Sequence, residues 1–73
     1  MLVQAQVENT SLGYIVSVYY AFDGRSFHWY RLCNFGESQG DARFYMLYRV
    51  PALLDSQIRY LIKNYNPQRI YKI

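Results

Sequence analysis

Arg43-Phe-Tyr-Met-Leu-Tyr-Arg-Val-Pro51 is the stretch on which the fold reading turns. Phe44, Met46, Tyr48 and Val50 take every second position, with Arg43, Tyr45, Leu47 and Arg49 between them. Alternation of this kind gives a strand one buried and one exposed face, so residues 42–50 are expected to form a strand. Pro51 ends it and suits the first turn of a helix. Leu54, Ile58, Leu61 and Tyr65 then recur at helical spacing, with Ile62 beside them. Such a stripe packs one helix face on a sheet. Asp55 stands in the early turns and Arg59 and Lys63 in the later ones, as the helix dipole favours. Asp55 and Arg59 are also spaced for an ion pair along the helix. Pro67 stops the helix, because the residue before a proline avoids α geometry. Residues 68–73 read as a last short strand.

Upstream, residues 2–7 alternate Leu2, Val3, Ala5 and Val7 with glutamines, and Glu8-Asn-Thr-Ser11 reads as a turn. A second strand over residues 14–22 puts Tyr14, Val16, Val18, Tyr20 and Phe22 on one face. Asp23-Gly24 follows, between two aromatic runs. That pair favours a two-residue type I′ hairpin, whose central positions both need positive φ. The register it implies sets Tyr20 opposite Phe27, Tyr19 opposite His28, Val18 opposite Trp29 and Ile15 opposite Leu32. Val18, Tyr20, Phe27 and Trp29 would then share the core face. The expected fold is α+β: a small antiparallel sheet (β-hairpin, β, α, β) with one covering helix, in a single domain over residues 1–73.

Composition narrows what such a domain does. A chain of 73 residues buries only about 60% of the surface it exposes when unfolded. Scaffolds of this size often rely on disulfides, a metal or a partner. Cys33 is the only cysteine, which rules out an internal disulfide, and His28 is the only histidine. A structural zinc site usually takes four such ligands. Association is the remaining staple. Nine Tyr, four Phe and one Trp supply more aromatic surface than one small core hides, and Tyr, Trp and Arg are enriched at interfaces. The net charge is +3, and it is uneven. Arg43, Arg49, Arg59, Lys63, Arg69 and Lys72 face Asp55 alone in residues 42–73. An acidic partner is expected for that half. Six Arg against two Lys suits two-point contacts to carboxylate or phosphate. The expected contact residues are therefore Arg43, Tyr45, Arg49, Arg59, Lys63, Arg69, Tyr71 and Lys72.

Catalytic readings find little to stand on. His28 lacks a carboxylate at an arguable spacing to orient it. Cys33 has no neighbour that would lower its pKa and reads as a small buried residue. Glu37 and Asp41 lie in a polar loop, and no Gly-Lys-Ser/Thr marks a phosphate loop. A non-enzyme is expected. Strand aromatics beside arginines also fit a small single-stranded nucleic-acid binder, and an inhibitor that binds a host protein, of viral or plasmid origin, would share this composition. The first residues lack the charged and apolar regions of a secretory signal. No apolar run approaches the roughly 18 residues of a membrane helix. An intracellular setting is expected.

Arg49-Val-Pro51, then a short helix, then Arg69-Ile-Tyr-Lys-Ile73 resembles the small linker domain of phycobilisomes, the rod-capping and core-capping type. In that family a strand runs into Val-Pro, a helix follows, and the chain closes on an Ile-Val-Lys-Ile-like strand. The likeness covers about thirty residues from Arg43 onward. Asn64-Tyr-Asn-Pro-Gln-Arg69 stands where the family has Gly-Gly-Lys, and Ala52 where it has an aromatic residue. The resemblance implies a linker or capping protein of the light-harvesting antenna with no covalent cofactor. Its basic side chains would meet an acidic phycobiliprotein and its aromatics the partner's bilins. It also implies a thylakoid-associated location on the cytoplasmic or stromal side.

Overall fold

Val16, Val18 and Tyr20 have no solvent exposure, and the molecule is built around the strand that carries them. The computed structural model describes residues 2–65. Three antiparallel strands, β1 (Leu2–Thr10), β2 (Gly13–Tyr20) and β3 (His28–Asn34), form a sheet in the order β1-β2-β3. β2 is central and rich in β-branched and aromatic residues, which fit a pleated, packed surface. Ile15 and Ser17, on its opposite face, are buried as well.

The turn between β1 and β2 comes later than expected. Glu8, Asn9 and Thr10 stay in the ladder opposite Ile15, Tyr14 and Gly13, and the chain reverses at Ser11-Leu12. The Thr10 hydroxyl donates to the Gly13 carbonyl at 2.9 Å and accepts the Leu12 N–H at 3.1 Å. Gly13 has φ +131°, and a Cβ there would lie 2.5 Å from Asn34 Oδ1 and 2.8 Å from the Gly36 backbone. Only glycine fits. The polar end of β1 is compatible with pairing because Glu8 points to the far face. There it accepts a hydrogen bond from Ser17, and Arg31 Nε lies 3.6 Å from the same oxygen.

The hairpin between β2 and β3 is wider than a type I′ turn. The Asp23 carboxylate accepts the N–H groups of Arg25 and Ser26, each at 2.8 Å. This side-chain cap offers the backbone an alternative to the tight turn. The register shifts by one: Tyr20 faces His28, Tyr19 faces Trp29 and Val18 faces Tyr30. A one-residue slip turns each side chain to the other face. Trp29 therefore leaves the expected core face, packs its ring 5.3 Å from that of Tyr19, and is 44% exposed. A second irregularity between Val16 and Ser17 sets Cys33 opposite Val16, and Leu32 packs in the core.

The expected third strand is helical. Residues Gln39–Phe44 form α1, which continues through a π-helical turn at Tyr45–Arg49 and a 3-10 turn at Val50–Ala52. Ser38 caps α1 by accepting the Asp41 N–H at 3.3 Å. Ala42 and Val50 are buried, Tyr45 and Met46 half-buried. That spacing is a helical stripe, and the alternating run contains it too. Short apolar runs satisfy both periods, and here the cap and the good helix formers decide. The π turn precedes Pro51, which has no N–H to continue the ladder, and the Val50 N–H reaches back to the Tyr45 carbonyl.

Helix α2 spans Asp55–Tyr65. Gln57 Oε1 accepts the Leu54 N–H at 2.7 Å, one half of a capping box. Ile58 and Ile62 are buried, and Leu54, expected in the stripe, is exposed at the cap. Two helical segments, not one, thus cover the same face of the sheet, the first against β1 and β2 and the second against β3. Val16, Val18, Tyr20, Leu32, Ala42, Val50, Ile58 and Ile62 form the core between them. The architecture is α+β, with an antiparallel sheet and a helical layer. The strand expected over residues 68–73 lies outside the described residues.

Candidate docking face

α2 is fastened to the sheet by a clasp. The Tyr20 hydroxyl donates to Asp55 Oδ1 at 2.7 Å, and Arg59 Nε donates to Asp55 Oδ2 at 2.9 Å. Arg59 also donates to the Phe22 carbonyl at 2.8 Å. Its guanidinium lies 5.7 Å from the centre of the Tyr20 ring and 5.2 Å from that of Phe22. The hydrogen bonds from Tyr20 and Arg59 hold the Asp55 carboxyl down at about 2. Burial, then the bond to Asp55, pushes the Tyr20 hydroxyl up. Arg59, expected to meet a partner, makes these contacts within its own chain while its side chain stays 40% exposed.

Helical winding separates the other expected contact residues. Arg43 turns toward β1 and lines a groove of about 360 Å³ with Ala5, Val7, Asn9, Tyr14 and Met46. Tyr45 and Arg49 turn toward α2. Tyr45 is half-buried, its ring 5.3 Å from Phe35, and burial pushes its hydroxyl up. Burial likewise raises the Cys33 thiol to about 11. That thiol stays protonated at neutral pH and is a poor nucleophile. Lys63 is exposed in the last turn of α2. Among the described residues Arg43, Arg49 and Lys63 take part in no salt bridge. Arg69, Tyr71 and Lys72 lie outside the described residues.

Between Arg43 and Arg49 in sequence stands an apolar ridge whose residues a strand would divide between two faces. Phe44, Leu47 and Tyr48 are 58%, 52% and 64% exposed. The rings of Phe44 and Tyr48 meet at 4.9 Å, the contact expected four residues apart on a helix. Beside the ridge, a groove of about 370 Å³ runs between the π turn and α2, lined by Tyr45, Leu53, Ser56, Gln57, Tyr60 and Leu61. A second hollow of about 330 Å³ shares Tyr45, Leu53 and Gln57 with it and reaches Tyr48 and Arg49. Ridge and groove are therefore continuous. Phe44, Leu47, Tyr48 and Tyr60 were not among the expected contacts. The signal for the first three was the i, i+3, i+4 spacing of 44, 47 and 48, legible only once residues 39–52 are wound as a helix.

His28 is exposed and sets its ring edge-on to Tyr30. Among the described residues no cluster of His, Cys, Asp and Glu has the geometry to hold a metal. No described helix is long and apolar enough to cross a membrane. No family model, curated protein or solved structure matches this chain.

Proposed function

We propose that the chain is a non-catalytic protein-interaction module that docks through its helical layer. The exposed Phe44–Leu47–Tyr48 ridge, continuous with the Tyr60 groove, carries this reading. Contiguous apolar surface of this kind marks interaction sites. Aromatic anchors beside a pocket are the usual centres of binding energy. Arg49 lines the hollow that joins ridge and groove, and Arg43 and Lys63 add exposed positive charge on the helical segments, which suits an acidic protein surface and steers its approach. An extended apolar ridge with few cations suits a protein better than a phosphate backbone, which is bound mainly through Lys and Arg.

A phycobilisome linker is the narrower form of this proposal. The resemblance behind it expects a strand ahead of Val50-Pro51, where this chain is helical, so the general module is the reading the geometry supports.

Affinity isolation of the intact chain from its native cells tests both. The expected result is one protein held in fixed stoichiometry, insensitive to nuclease. Tyr48→Ala is expected to weaken its binding about 30-fold, equivalent to about 2 kcal/mol at an interface hot spot. The melting temperature should not change, because Tyr48 is exposed. Visible bilin bands in the isolated complex would establish the linker. A nuclease-sensitive partner, or binding unchanged in Tyr48→Ala and Phe44→Ala, would refute docking through this face.

A further inference from the structure

We infer that the outer edge of β1 pairs with β1 of a second copy, joining two three-stranded sheets into one of six strands. The inference is independent of docking through the helical ridge. Among the described residues β1 is the longest strand, nine residues from Leu2 to Thr10, and it lies at an edge of the sheet they form. Edge strands are normally guarded against such pairing by lysine, proline or strong bulges. β1 has no Lys, Arg or Pro, and its one irregularity falls at its start, between Leu2 and Gln4. Its single charge, Glu8, is engaged by Ser17 and Arg31 within its own copy.

The strand is also self-complementary. A two-fold axis through Gln6, the middle residue, sets Gln6 opposite its own copy, Ala5 opposite Val7, and Gln4 opposite Glu8. Two-fold pairing requires that each contact occur twice in this way. The amide of Gln4 then meets the carboxylate of Glu8, and the two Glu8 side chains stand about 13 Å apart along the strands. On the helical side, the groove along this edge lies between Ala5, Val7 and Asn9 of the strand and Arg43 and Met46 of the first helical segment. Ala5 and Val7 of the second copy enter it, so apolar side chains fill the groove while main-chain bonds close the edge. This is the division of labour of strand addition. A small chain with limited core gains the staple that its size calls for.

Light scattering and sedimentation equilibrium of the full chain at high micromolar concentration test the inference. The expected mass is twice 8.8 kDa. Gln6→Lys and Gln6→Glu each place like charges opposite one another at the axis. Each is expected to weaken the dimer at least tenfold while keeping the wild-type circular dichroism. Mixing the two variants should restore the dimer, a rescue that misfolding could not mimic. A monomeric wild type, a Gln6→Lys chain that stays dimeric, or a mixture that stays monomeric overturns the inference.

Discussion

At the scale of single residues, Tyr20 joins core to clasp: its ring is buried and its hydroxyl reaches Asp55. Tyr20→Phe keeps the ring and removes the hydrogen bond. It is expected to cost about 1 kcal/mol, read as a lower midpoint in urea. Asp55 makes the same clasp dependent on pH. Its carboxyl is lowered from the ordinary 3.8 to about 2. The stabilisation it provides is therefore complete above 3.8 and is lost as pH falls from there toward 2. Thermal melts should show a falling midpoint across that window. Asp55→Asn should flatten part of the fall; Asp23, also held at about 2 by the N–H groups of Ser26 and Arg25, accounts for another part. Cys33 has the opposite sign, its thiol raised from 9.0 to about 11. Burial favours the neutral form, a contribution present below pH 9 and lost as pH rises toward 11. A thiol reagent at pH 8 should modify Cys33 slowly in the native protein and rapidly in denaturant. Equal rates in the two conditions would contradict its burial.

At the scale of elements, the strands were legible in the sequence and the connections were not. Alternation fixes which residues of β2 face the core, because Val16, Val18 and Tyr20 admit no other period. Register depends on the turn, and Asp23-Gly24 promotes a tight turn unless the Asp23 carboxylate caps the N–H groups beyond it. That choice moved Trp29 out of the core. Residues 42–50 failed for a different reason. Phe44, Met46, Tyr48 and Val50 alternate, yet Ala42, Met46 and Val50 also form a helical stripe. The Ser38 cap, three residues before Asp41, together with the helix formers that follow it, decides for the helix. Ser38→Ala should therefore cost about 1 kcal/mol and reduce helical ellipticity. Gly13→Ala tests the other connection. With φ +131° and the Gly36 backbone 2.8 Å from the new Cβ, it should destabilise by more than the roughly 1 kcal/mol that a strain-free glycine replacement gains. A midpoint equal to wild type would show that the turn can relax.

At the scale of the whole molecule, the α+β class and the covering of one sheet face followed from the pattern of apolar residues. The expected contact residues were legible in kind more than in place. Arg43, Tyr45 and Arg49 were read as one row on a strand, and the helix distributes them around its circumference, with Tyr45 in the groove wall; Arg59, expected on a helix beside Asp55, is held in the clasp. Reversing the exposed charges with Arg43→Glu and Arg49→Glu should slow association with an acidic partner more than it speeds dissociation, which stopped-flow or surface kinetics would separate. Spatially, ridge and core are related through the π turn at Tyr45–Arg49. A π turn accommodates one residue more than a regular α-helical turn, and each residue rotates a helix by about 100°. Deleting one residue from this turn would let it close as α-helix and swing Phe44 away from its bearing relative to Val50. This segment should accordingly accept many side-chain replacements in a mutational scan and reject length changes: a reading frame in three dimensions, where the number of residues between anchor and ridge carries the information.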